Sequence, residues 1–114
     1  MSDTPLWDAE AAEAETRASV AEILSDANLK PGMKVLLDLR FAPGPAADRA
    51  GFIAAMRAAG YAGNAYEAEG REEIEAVIPD VPLAPDAIWA EEHKAAAIAL
   101  AHGYEPMGWG FEAP

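Results

Sequence analysis

Ala58-Ala59-Gly60-Tyr61 closes one alanine-rich helical pattern, and Ala101-His102-Gly103-Tyr104 closes another 43 residues later. Glycine just past the last periodic residue is a helix stop. Each Gly-Tyr leads into a short segment with a further aromatic, Tyr66 in the first and Trp109 in the second. Two helix-Gly-Tyr-strand units 43 residues apart point to a fold made of two related halves. The second half ends in Gly108-Trp109-Gly110. That run sets a large amphipathic ring on backbone with little steric cover of its own.

The rest of the chain fits around those units. Residues 8–27 read as an acidic helix. Asp3 or Thr4 could cap it, with Pro5 in its first turn. Trp7, Ala11, Ala14, Ala18, Ala21 and Leu24 form its apolar stripe at spacings of three and four. Asn28 to Gly32 is a break. Lys34 to Phe41 is the clearest strand, with Val35, Leu37, Leu39 and Phe41 on one face and Asp38 and Arg40 on the other. A helix follows from about Ala46 to Ala59, with Phe52, Met56 and Ala59 inward. Residues 61–68 form a second strand, and Glu69-Gly70-Arg71 a turn. Glu73 to Ile78 forms a third strand, with Ile74, Ala76 and Ile78 on one face and Pro79 and Pro82 ending it. Pro85-Asp86 opens a third helix that runs to about Ala101, with Ile88, Ala95 and Ala99 on one side. Tyr104 to Phe111 is the last strand, where Pro106 favours an edge position or irregular pairing.

The expected order is therefore a helix followed by βαββαβ. Two interlocked βαβ units make an α+β, ferredoxin-like sandwich, a four-stranded antiparallel sheet with helices on one face. Residues 1–32 are an N-terminal acidic helix and linker, and residues 33–114 are the sandwich, in one compact domain. A chain of 114 residues fits one modest core. Alanine supplies much of its hydrophobic content, so the core should be thin, with close contacts between helices and sheet.

The net charge of −12 argues against nucleic-acid binding, which needs clustered Lys and Arg for phosphate. The eight basic residues are scattered. Such acidity serves solubility, or it docks on a basic partner surface. The absence of cysteine removes disulfides, thiol catalysis and Cys-based metal sites. Residues 1–25 lack the apolar core of a signal peptide, and no run approaches the roughly 20 apolar residues of a membrane span. A cytoplasmic location is the expectation.

Few constellations carry chemistry. Glu91-Glu92-His93 lacks a second ligand four residues after His93, where Ala97 stands, so a solvated helix face is the simpler reading. His102, in the last helical turn, favours the dipole or packs locally. Ser2, Ser19 and Ser25 have no His partner in sequence. Glu67, Glu69, Glu72, Glu73 and Glu75 surround the expected hairpin. They could bind a hard cation, but a charged edge that resists strand-to-strand association is the commoner use. No glycine pattern makes a phosphate loop. No catalytic, cofactor-binding or metal-binding residue is assigned. Trp89 and Trp109 could share a patch with Tyr104 or Phe111, and both core support and partner contact are open to Trp109.

At the level of motifs the chain resembles the RraB family, the type-B regulators of ribonuclease E activity. Leu83-x-x-Asp86-x-Ile88, the helix to Ala99, Glu105 and Gly108-Trp109-Gly110 with Phe111-Glu112 look like that family's second half without a gap. The Phe52 helix with Gly60-Tyr61, and the acidic opening helix ending near Asp26, look like its first half. The likeness covers roughly residues 8–112. Met107 and Pro106 stand where the family typically has Asp and Tyr, and the long acidic tail typical of its enteric members has no counterpart before Pro114. The resemblance implies a ferredoxin-like fold and a non-catalytic cytoplasmic protein that binds ribonuclease E and lowers RNA cleavage. The expected partner-binding residues are Trp109, Gly108, Gly110, Trp89, Glu91, Glu92, Glu73 and Glu75. The alternatives are a small-molecule binder or enzyme of the dimeric ferredoxin-like type, and an acidic immunity or antitoxin protein.

Overall fold

The computed structural model describes residues 7–26, 28–68 and 70–112. Three helices and four strands follow in the order α1 (Ala9–Ile23), β1 (Lys34–Pro43), α2 (Arg49–Ala58), β2 (Ala62–Ala68), β3 (Arg71–Pro82), α3 (Pro85–Ala101) and β4 (Tyr104–Glu112). The molecule is α+β, and its strands form one antiparallel sheet in the order β2-β3-β1-β4. β1 and β2 therefore run the same way with β3 between them, and β3 and β4 run the same way with β1 between them.

β1 is one of the two inner strands, and its alternation is the cleanest in the chain. Val35, Leu37, Leu39 and Phe41 are buried, while Lys34, Leu36 and Arg40 are exposed. α3 lies against β1, β3 and β4, α2 against β2 and α3, and α1 against α3. Small residues permit that closeness: Ala76 on β3 and Ala95 and Ala99 on α3 are fully buried. Phe52 on α2 fills the space between them, edge-on to Phe41 at 5.2 Å and tilted on Tyr104 at 4.7 Å.

The two Gly-Tyr units occupy matching places. Gly60 and Gly103 both take positive φ, +91° and +78°, past the ends of α2 and α3, and Tyr61 and Tyr104 then enter the core. A left-handed residue ends a helix without a Cβ penalty only when it is glycine.

Three local expectations need correction. The side chain of Asp8 caps α1 by accepting from the Ala11 amide at 3.2 Å, so the helix starts later than a cap at Asp3 or Thr4 would place it. Those residues and Pro5 lie outside the described residues, as does Glu69 of the expected turn. The stripe through Ala11, Ala14, Ala18 and Ala21 is exposed, and the buried face carries Thr16 and Val20 instead, with Ile23 beside them. Alanine has too little apolar area to orient a helix, and the larger β-branched side chains decide. Finally, β3 continues through Pro79 to Pro82. Val35 pairs with Val81 and Leu37 with Ile78, which leaves one extra residue on β3. This bulge at Pro79-Asp80 is where a strand tolerates a missing N–H, and Asp80 takes φ +58° there.

The ends of α2 follow the same logic. Asp48 accepts from the Gly51 amide at 3.1 Å and satisfies one of the four free N–H groups of that helix. Replacing Asp48 with alanine is expected to lower stability by about 1 kcal/mol. Urea denaturation followed by circular dichroism measures it; an unchanged midpoint would mean that water serves the helix end equally well.

Candidate functional site

The site begins with a local irregularity of β4. Arg40 pairs with Gly108 but Phe41 with Pro106, so Met107 is the extra residue of a second bulge. Met107 is exposed, and Gly108 adopts φ +119° with open space where a Cβ would stand. The bulge resets the pleat so that Trp109 pairs with Leu39. Directly opposed residues share a face, so Trp109 lies on the same side of the sheet as buried Leu39. Gly110 has a different task. A Cβ there would come within 3.2 Å of Asp38 Oδ1, on the other face. Asp38 Oδ1 is buried without a hydrogen bond, and Arg40 Nε stands 3.7 Å away.

A chain of hydrogen bonds runs inward from Trp109. Its indole Nε1 donates to Thr16 Oγ1 at 3.1 Å, and the Thr16 hydroxyl donates to Glu92 Oε1 at 2.5 Å. The indole can only donate, so Thr16 Oγ1 accepts from it, and towards an ionised Glu92 the hydroxyl donates; β4, α1 and α3 are joined through one network. Thr16 is 2% exposed and Glu92 8%. Burial raises the Glu92 carboxyl above its ordinary value. The Thr16 hydrogen bond pulls the other way, and the Glu15 carboxylate adds to the rise.

This network borders a groove of about 470 Å³ between α1 and β4. Glu15, Ser19 and Ile23 form the α1 side, and Trp109 and Phe111, whose rings are 6.4 Å apart, form the β4 side. A second groove of about 290 Å³ shares Glu15, Glu92 and Gly108 with the first. It continues past Asp8, Trp7 and Glu105. Among the described residues neither groove has a Lys or Arg in its lining.

No protein-family model matches the chain, and no curated protein matches it.

The eight nominated partner-binding residues fall in four places. Trp109, Gly108, Gly110 and Glu92 meet at the groove. Trp89 belongs to another side of α3, where it stacks on Trp7 at 5.6 Å and meets His93 at 5.4 Å. Glu91, two residues on, turns away from Trp89 towards Tyr61. Glu73 and Glu75 are half-buried on β3. Glu73 accepts from the Tyr66 hydroxyl at 3.0 Å, and Glu75 pairs across the sheet with Arg40 and Asn64. The expected patch is therefore divided: Phe111 joins Trp109, Trp89 sits with Trp7 and His93, and Tyr104 is in the core against Phe52. The solvated-face reading of Glu91-Glu92-His93 holds for exposed His93 and fails for Glu92. Ile88, Glu92, Ala95 and Ala99 lie four, three and four residues apart, on one buried helix face. Thr16 is likewise a polar residue on a buried face, the one opposite the exposed alanines of α1.

Other titratable groups are structural. His102 Nδ1 lies 2.9 Å from the Ile98 carbonyl oxygen, and its ring stacks on Phe52 at 6.3 Å. The Tyr61 hydroxyl is pushed well up by burial first, then by the Glu91 carboxylate. Among the described residues no three His, Asp or Glu side chains converge as metal ligands, and no helix is long and apolar enough to cross a membrane.

A pH experiment tests the burial of Glu92. Below its ordinary value of 4.5 the carboxyl is neutral whether folded or unfolded, and burial carries no charge penalty. As pH rises past the higher folded value it is ionised in both states, and only the folded state bears the desolvation. Glutamine stays neutral and retains an acceptor for Thr16. The stability of Glu92→Gln relative to wild type is therefore expected to increase from about pH 4 to about pH 7 in thermal melts. A difference that does not vary with pH would contradict a desolvated carboxyl.

Proposed function

We propose that this protein is a non-catalytic regulator that binds an RNA-cleaving endonuclease of the ribonuclease E type and restrains it by protein contact. On this reading the fold is a ferredoxin-like sandwich of the RraB kind, with helices covering one face of the sheet. The strand order β2-β3-β1-β4 with two split βαβ units supports it. One observation carries the functional reading. The Gly108-Trp109-Gly110 element lies at a groove whose charged lining, among the described residues, is acidic, on a chain of net charge −12. Electrostatic attraction would steer such a surface onto a basic patch, and a half-buried Trp is a suitable anchor at its centre. The non-catalytic part is supported by the partners of the histidines, since His93 meets Trp7 and Trp89 while His102 stacks on Phe52 with Nδ1 at the Ile98 carbonyl oxygen.

The test is RNA cleavage by a purified ribonuclease E-type endonuclease with and without this protein. Inhibition should saturate at stoichiometric protein. Affinity should fall at least about tenfold between about 50 mM and about 500 mM salt. Trp109→Phe, which keeps a ring but removes the indole donor, should weaken binding less than Trp109→Ala. Unchanged cleavage at micromolar protein would remove the regulator reading.

A further inference from the structure

We propose that the groove between α1 and β4 is a binding site for an alkyl cation, an ammonium or guanidinium on an apolar stem. Glu92 would be its counter-ion, and the Trp109 and Phe111 rings would be the wall for the stem. This goes beyond the regulator reading, because it assigns a ligand chemistry to the groove whichever molecule carries it.

Glu92 is the centre of the argument. A carboxyl 8% exposed is expensive to ionise unless a positive partner or several donors meet it. Its Oε1 takes one hydrogen bond, from Thr16. Among the described residues no donor reaches Oε2, while the side chain borders both grooves. Among the described residues no cation fills that place. The nearest arginine on α1, Arg17, is held outside by Glu13 and Asp86, each at 2.8 Å. The groove thus presents an acceptor with a free oxygen at its inner end and Ser19 and Glu15 at its rim.

The walls complete the selection. A cation that leaves water gains when an aromatic face replaces part of its hydration, and Trp is the best such face. Ile23 and Phe111 add apolar surface for methylene groups. An anion would meet carboxylates with no Lys or Arg among the described lining residues, and a neutral apolar molecule would leave Glu92 Oε2 unsatisfied. The second groove, with Asp8 and Glu105, extends the same negative potential away from Glu92, which suits a ligand with a second charge along its length.

The groups facing Glu92 are Glu15 and Asp8 beside α1, Glu105 on β4, and the uncharged Thr16 and Trp109. None donates a positive charge, so an entering cation meets a carboxyl that burial holds protonated to higher pH than usual. Binding should release a proton and weaken as pH falls.

The experiment is an amide and indole NMR titration of the full chain with agmatine, with 1-butanol as the neutral control and an Arg-containing peptide as a second ligand. A saturable shift of the Trp109 indole N–H by agmatine, absent with butanol, is expected. Glu92→Gln should weaken it at least tenfold. Ser19 is exposed, so Ser19→Arg should fold normally and abolish agmatine binding by placing a tethered guanidinium in the groove. Agmatine binding at least as tight as the peptide identifies a free amine as the ligand. Peptide binding at least tenfold tighter identifies a side chain of a partner protein. No saturable shift below about 10 mM agmatine, or equal affinity in wild type, Glu92→Gln and Ser19→Arg, would overturn the site. Endonuclease inhibition that persists in that case leaves the regulator reading intact, so the two can fail separately.

Discussion

Phe52→Ala is expected to lower the unfolding free energy by about 3–5 kcal/mol. Phe52 is fully buried, and it meets aromatic rings from both halves of the fold. Phe41 of β1 meets it edge-on at 5.2 Å, Tyr104 of β4 lies at 4.7 Å, and His102 stacks at 6.3 Å. The loss has two parts, the transfer free energy of the ring and the cavity left among neighbours that cannot collapse. The second part should be large, because those neighbours are anchored on two strands and a helix end. A domain of ordinary stability has about 5–15 kcal/mol in all, so the variant would be marginal at room temperature. Urea denaturation by circular dichroism measures the effect. A loss under about 1.5 kcal/mol would show that the surrounding rings close the gap.

The second large effect is expected at Gly103, with Gly60 as its internal control. Both have positive φ, so alanine at either position suffers left-handed strain of about 1–2 kcal/mol. Their surroundings differ. A Cβ on Gly60 meets nothing within 4 Å, whereas one on Gly103 would lie 2.5 Å from the Ala46 carbonyl oxygen and 2.7 Å from its carbon. Backbone cannot rotate aside as a side chain can. It is also held in place there, because Gly44 N–H donates to Gly103 O at 2.9 Å and Asp48 N–H donates to His102 O at 2.8 Å. Gly60→Ala should lower the melting temperature by a few degrees, and Gly103→Ala by more than about 10 °C. Equal decreases would mean that strain alone matters and the close approach is relaxed.

Those two glycines also show what was readable in the sequence. Gly-Tyr after an alanine-rich run marks a helix end by local chemistry alone, and the alternation from Val35 to Phe41 marks a half-buried strand. Both signals are carried by single residue types at fixed spacing, and both match the structure. α1 was less legible, since alanines at several phases make several equivalent stripes. The phase was set by buried Val20 and by Thr16, which answers to Glu92 of α3 and to Trp109 at 76 and 93 residues' separation. Pro79 misled because a proline ends a regular strand, and a bulge is a property of two paired strands. Glu92 misled in the opposite way. Its position in the Ile88-Ala95-Ala99 stripe was visible, but a carboxyl is not expected there unless something across the core accepts it. The Thr16 hydroxyl and the indole behind it could not be placed from one strand and two helices read separately.

The bulge at Met107 has a consequence for crowding. β4 and β2 are the two outer strands of the sheet. Along β4, Pro106 offers no amide and Met107 breaks the regular spacing, so a foreign strand cannot zip onto it. β2 pairs in unbroken register from Ala62 to Ala68, with small side chains at Ala62, Gly63 and Ala65 and no proline. If strands from two chains add to one another, they add through β2. The resulting eight-stranded sheet then ends in β4 on both sides, so growth terminates at a pair instead of continuing into a fibre.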